Sequence, residues 1–164
     1  LPGPGWATAQ SSPFRRYKTS TYEGGISTPM IVRWPGRILP ESRSDAVGHV
    51  VDLLPTLAEV AAADYPSLRG AHQVPAMEGQ SLIPAWQQSP VPERGIGWYA
   101  YGSRAFRSGK WKAVWGVTGN RWELYDMEAD RTETRDVAEL QPEILQRLVS
   151  GWNEWAKRIQ LPAE

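Results

Sequence analysis

The chain has 164 residues, 18 basic against 18 acidic, with 41% hydrophobic residues and nine tryptophans, enough for one domain with a real core or for a small domain plus a piece of another. Zero net charge leaves no overall field to draw nucleic acid or an anionic membrane, and no run of about 18 apolar residues is present to span a bilayer. The absence of cysteine excludes disulfides, a thiolate nucleophile and a Cys-ligated zinc site.

Residues 1–29 read as one long loop, rich in Pro, Gly, Ser and Thr, and the opening L-P-G-P-G is expected to lie inside a longer chain. Within it, Tyr17 to Gly36 reads Y-K-T-S-T-Y-E-G-G-I-S-T-P-M-I-V-R-W-P-G. Gly24 and Gly25 permit a sharp turn and a close backbone approach. Pro29 makes Thr28 extended, and Met30-Ile31-Val32 is then predicted to be a short strand buried on both faces of a parallel sheet. Lys18 would thus be held at a pocket by a loop leading into that strand, or else be a solvated surface lysine. Through Val50 the basic residues Arg15, Arg16, Lys18, Arg33, Arg37 and Arg43 outnumber Glu23, Glu41 and Asp45, a bias that suits an anionic substrate and equally a solvated face.

A short strand is predicted at Ala46–Val50 and a helix over 52–62. Asp52 serves as its N-cap, Pro55 lies in the first turn, and Leu53, Leu54, Leu57, Val60 and Ala61 form one face. His49 and His72 lack a second ligand at metal-binding spacing, so His49 is read as a core or capping residue. A further short helix is expected over Ser81–Trp86. The stretch S-P-V-P-E-R from Ser89 marks a boundary, giving two parts, 1–90 and 91–164.

Beyond it, strands are predicted at Ile96–Ala100, Arg104–Arg107, Trp111–Trp115 and Trp122–Tyr125, with a hairpin at Ser108-Gly109; the short connections make the order antiparallel. The acids Asp126, Glu128, Asp130, Glu133 and Asp136 miss the calcium-loop pattern, because Arg131 and Val137 stand where Gly and Glu are needed. They read as a solvated turn. Pro142 opens a helix over about 141–158, whose Ile144, Leu145, Leu148, Trp152, Trp155, Ala156 and Ile159 share a face predicted to cover the sheet.

The spacing K-x-x-T-x-E-G-G followed by P-x-I-V-x-W-P-G resembles the sulfatase family. So do G-P-G-W-A and S-S-P-F-R-R-Y-K upstream, and H-V-V-D-L-L-P-T-L, E-G-Q-S-L-I-P, R-A-F-R-S-G-K-W-K and W-E-L-Y-D-M-E-A-D downstream. The order is that of the family over most of residues 3–158. The resemblance implies an α/β fold, with 1–90 the C-terminal end of an alkaline-phosphatase-like parallel-sheet domain. Residues 91–164 would be a small subdomain with a four-stranded antiparallel sheet and a C-terminal helix.

It also implies sulfate-ester hydrolysis by a formylglycine nucleophile beside calcium. This chain has no cysteine, and its one Ser-x-Pro-x-Arg, Ser11-Ser12-Pro13-Phe14-Arg15, falls in the S-S-P-F-R-R-Y-K stretch that resembles the family's approach to the lysine; the nucleophile and the calcium ligands are expected in a preceding N-terminal part. Lys18 matches the family lysine that contacts sulfate; Tyr17, Tyr99 and Tyr101, near matched segments, are candidates for lining the substrate pocket. Where relatives read W-E-H-x-G-N-R-A, this chain reads W-Y-A-Y-G-S-R-A, losing an acid and a histidine. The implied partners are a sulfate ester and the N-terminal part, with neither nucleic acid nor membrane, and the implied location is periplasmic or secreted. A phosphate- or phosphonate-ester hydrolase of the same superfamily and a non-catalytic Trp-rich binding module are the other readings.

Overall fold

The structure, a computed structural model, describes residues 3–116 and 118–161. In chain order its elements are α1 (Pro4–Ser11), α2 (Glu23–Ile26), α3 (Leu53–Val60, entered through a 3-10 turn at Val50–Asp52), the two-residue strands β1 (Leu68–Arg69) and β2 (His72–Gln73), α4 (Ile83–Trp86), β3 (Gly95–Ala100), β4 (Ser103–Ser108), β5 (Trp111–Trp115), β6 (Trp122–Asp126) and α5 (Pro142–Arg158). They fall into two units. One combines the chain up to Pro29 with the chain from Glu93, and the other is Met30–Pro92. The residues before Met30 group with the C-terminal sheet.

In the first unit, strands β3-β4-β5-β6 pair in sequence order, all antiparallel. Tyr101 and Gly102, both at positive φ, close the β3–β4 hairpin, and Gly109 at φ +56° closes β4–β5. Strand alternation sorts the side chains onto two faces. On one, Phe106, Trp111, Ala113, Trp122 and Leu124 pack with Leu148, Ile144 and Leu145 of α5. A Cβ at Gly97 would lie 2.2 Å from the Trp155 ring and one at Gly151 2.5 Å from Phe106, so helix and sheet meet at a distance only glycine allows. Trp152 is buried and its Nε1–H donates to Trp98 O at 3.3 Å, while Trp155 is half-buried. The opposite face carries Ala105, Val114 and Tyr125, and Tyr22 and Met127 pack there.

Residues 3–29 are therefore not a featureless loop. Pro4 occupies the first turn of α1, where its missing N–H costs nothing, and Thr21–Glu23 is buried.

In the second unit, Met30-Ile31-Val32 is extended but not a strand, and Ile31 is 95% exposed. Ala46–His49 likewise forms no strand. An apolar run becomes a strand only where a neighbour takes up its N–H and C=O groups. Among the described residues every strand pair is antiparallel, and none includes these segments. Among the described residues the apolar face of α3 is uncovered: Leu53, Leu54, Leu57 and Val60 are exposed, and Thr56 is its buried residue.

This unit buries Leu82 and Ala85 and is tied together by polar contacts. The Asp52 carboxylate makes no cap bond to α3, contrary to expectation; it accepts from His49 N at 2.7 Å and Gln80 N at 3.0 Å. Thr56 Oγ1 donates to Asp52 O and accepts from Leu82 N at 2.9 Å, tying α3 to the segment entering α4. His49 does cap the 3-10 turn, its Nδ1 accepting from Val51 N, whereas His72 is exposed in β2.

Candidate functional site

Lys18 sits on a loop fastened to the sheet by three successive buried side chains. Thr21 Oγ1 and Ser103 Oγ of β4 lie 2.6 Å apart, and Thr21 N donates to the same Ser103 oxygen at 3.2 Å. Tyr22 OH donates to Glu123 of β6 at 2.5 Å, an oxygen that also accepts from Tyr125 OH at 2.5 Å and from Arg15 at 3.3 Å. Burial and the bond to Glu123 push both phenols well above the ordinary tyrosine range, so they remain donors. Glu23 accepts from Lys112 Nζ of β5 at 2.7 Å.

The loop is also closed on itself. Gly24 N donates to Arg15 O at 3.0 Å, and a Cβ on Gly24 or Gly25 would sit 2.2 Å from Arg15–Arg16 backbone or 2.1 Å from Ser20 O. The two glycines are thus required by close approach. Arg16 at φ +67° and Thr19 at φ +80° bracket Tyr17-Lys18 in left-handed backbone that L-residues avoid, most of all β-branched ones. Strain of this kind persists only where surrounding contacts hold it, as the three anchors do here.

The outer part of the loop forms one wall of a cavity of about 140 Å³ lined by Arg16, Tyr17, Lys18, Thr19, Ser20, Tyr22, Ser103, Gly116 and Thr118. A water-sized share of liquid is about 30 Å³, so the cavity accepts a group of a few heavy atoms. Its lining holds two cations, several hydroxyls and no carboxylate. Among the described residues Lys18 has no ion-pair or hydrogen-bond partner, while Arg16 donates to Thr118 Oγ1 at 3.3 Å. Such a lining attracts an anion.

A larger hollow, about 530 Å³, is bordered by Arg15, Arg121, Glu123, Tyr125, Glu133 and Asp136 among others. Its charges satisfy one another, Arg121 with Asp136 at 2.9 Å and Arg15 with Glu123 at 3.3 Å. We therefore place the candidate site at the smaller cavity.

Of the tyrosines expected near substrate, Tyr17 lines this cavity with Lys18, and Tyr99 and Tyr101 do not. Tyr99 alternates with Trp98, placing it on the α5 side of the sheet. Tyr101 is exposed at the β3–β4 turn.

The acidic run differs from the solvated turn expected of it. Asp126 pairs with Lys110 at 2.7 Å. Asp130 accepts from the backbone of Thr134 and Arg135 and from both threonine hydroxyls. Glu133 is fully buried, accepting from Lys112 Nζ at 2.8 Å and from Glu23 N at 2.7 Å. Burial pushes its carboxyl above the ordinary glutamate value, against the pull of Lys112. Sequence reasoning passed over Lys112. The available signal was its alternation with Val114, a buried neighbour on the same face of β5. Among the described residues no group of three or more His, Asp or Glu is placed to hold a metal ion.

The family described as N-sulphoglucosamine sulphohydrolase, C-terminal, matches residues 15–154. An uncharacterized sulfatase of Schizosaccharomyces pombe is 34% identical over 158 residues, covering 92% of this chain and 28% of its own length. The N-acetylgalactosamine-6-sulfatase of Sus scrofa is 34% identical over 121 residues, 73% of this chain and 22% of its own. Among solved structures, that of Ps i-CgsB in complex with k-i-k-neocarrahexaose superposes with a TM-score of 0.75 at 27% identity, covering 88% of this chain and 32% of that one. The chain spans about a quarter of the length of the curated relatives it matches. It belongs to the sulfatase family and corresponds to that family's C-terminal region.

Proposed function

We propose that this chain is the C-terminal part of a sulfatase that hydrolyses aryl or carbohydrate sulfate esters, and that Lys18 binds the sulfuryl group. The observation that carries the reading is Lys18 itself. Lys18 lines a cavity whose lining holds no carboxylate, on a strained loop pinned to a rigid sheet. A compact ammonium suits a tetrahedral anion whose charge is spread over several oxygens. As the ester bond breaks, charge builds on the sulfuryl and leaving oxygens, and a fixed cation there lowers the barrier with no reorganisation at the moment of reaction.

Among the described residues no group of three or more His, Asp or Glu is placed to hold the family's calcium; the sequence has no cysteine to become a formylglycine, and its Ser11-Ser12-Pro13-Phe14-Arg15 belongs to the stretch leading into the Lys18 loop. Calcium ligands and nucleophile would come from a preceding N-terminal part of a longer chain. No helix among the described residues is long and apolar enough to cross a membrane. A periplasmic or secreted location belongs to the proposal and rests on kinship alone.

The test is Lys18→Ala in the longer protein, assayed with an aryl sulfate. Loss of a transition-state donor of this type lowers kcat by about 100-fold or more. Unchanged kcat and KM would overturn the assignment, and equal or faster hydrolysis of the matching phosphate ester would move the protein to the phosphatase side of the superfamily.

A further inference from the structure

Lys112 is fully buried between two carboxylates, Glu23 Oε1 at 2.7 Å and Glu133 Oε1 at 2.8 Å, with the Trp98 ring centroid 6.0 Å away. The remaining oxygen of Glu133 accepts from Glu23 N at 2.7 Å, so Glu133 grips both the lysine and the loop backbone. Arg131, exposed on the rim, reaches Glu23 Oε2 only at 3.8 Å. Such a cluster is not explained by stability. Removing three charges from water costs several kcal/mol each, and apolar residues of similar volume commonly hold a fold as well.

The chain also takes on backbone strain to build the cluster. Glu133 stands at φ +57°, a left-handed conformation that non-glycine residues disfavour. What the cluster does accomplish is geometric. It locks Glu23, five residues after Lys18 and just before the glycine turn, to the centre of the sheet in one register.

We infer that Lys112 and Glu133 are positioning residues for Lys18, holding the loop through Glu23 so that the ammonium faces the anion. This rests on the reading of Lys18 given above. Neither group reaches the cavity, since both are absent from its lining. Their effect on the reaction must pass through the loop.

The experiment is a double-mutant cycle in the longer protein, with kcat and KM for a sulfate ester and thermal unfolding measured on each variant. Lys112→Met leaves two buried carboxylates facing each other and is the variant most at risk of not folding. Glu133→Gln keeps the Lys112–Glu23 pair and gives up one of the two grips, because an amide has one acceptor oxygen. With Lys18 present, Glu133→Gln lowers kcat about tenfold, in keeping with the cost of misplacing a catalytic group by a fraction of an ångström. With Lys18→Ala in place, the same change lowers kcat by less than about twofold, because residues acting as one unit are not additive.

Equal losses in both backgrounds would overturn the inference and reduce the cluster to a structural one. So would no loss from Glu133→Gln while Lys18→Ala is costly. If Lys18→Ala itself has no effect, the reading of Lys18 falls first and this one with it, a result distinct from the other two.

Discussion

The two units of this chain obey the same physical rules with different outcomes. In the sheet unit each face has a cover, α5 on one and the Tyr22 loop on the other, and Ala105, Ala113, Val114 and Leu124 are fully buried. In Met30–Pro92 most of the large apolar residues stay uncovered: Ile31 is 95% exposed and Leu57 62%, and beside Leu82 and Ala85 the buried positions are the polar, hydrogen-bonded Asp52 and Thr56. Apolar pattern alone does not make a core. It needs a second layer, and among the described residues the sheet unit is where one is supplied.

The largest expected effect breaks the comparison directly. Leu124→Ala or Leu148→Ala, both in the sheet core, should each cost about 3 kcal/mol by transfer and cavity terms. Leu57→Ala on the exposed face of α3 should stay within about 0.5 kcal/mol, the usual range for surface changes. Urea unfolding of the three variants measures the difference. Comparable losses would mean that α3 is packed as tightly as α5.

A smaller effect probes how α5 is seated. Trp152→Phe keeps most of the ring contact with Trp122 and Trp155 but removes the donor to Trp98 O. The expected cost is about 1 kcal/mol, the net worth of one hydrogen bond, read as a lower urea midpoint with unchanged slope.

How much of this was legible depended on whether a residue's partners lie nearby in sequence. Strands 95–126 and α5 were legible because alternation, a glycine hairpin and a 3-4 spaced apolar face are local signals, and the elements they specify cover each other. Met30-Ile31-Val32 gave as clear an apolar signal and no strand, since pairing is not a local property. Lys18 was singled out by motif spacing and Tyr17 by its nearness to a matched segment, and both line one cavity. Glu23, Lys112 and Glu133 were not, because a charged residue reads as solvated until its partner, 89 positions away for Lys112 and Glu23, is known. Glu133 was further hidden in a run whose other members do sit at the surface or on a turn.

The smallest effect concerns that turn. Burial alone would raise the Asp130 carboxyl, but bonds from Arg135 N and from the Thr132 and Thr134 hydroxyls and Thr134 N outweigh it, leaving the folded value below 3.8. A carboxylate titrating lower when folded contributes stability that is complete above its unfolded value and is lost as pH falls through the folded one. Acidification below pH 3.8 should therefore loosen residues 130–135 and relieve nothing. NMR shifts of the Thr134 and Arg135 amides report it, and Asp130→Asn should remove most of the dependence.

The Lys18 loop is one piece with the sheet, and the segment that follows from Met30 belongs to the other unit. Amide hydrogen exchange on this chain tests that most directly, because it resolves opening free energies residue by residue. Gly24 and Gly25, whose amides donate to Arg15 O and Tyr22 O, should exchange as slowly as Val114 in β5, and Ile31 and Val32 at the rate of unprotected amides. Gly24 and Gly25 exchanging as fast as Ile31, while Val114 stays protected, would contradict it.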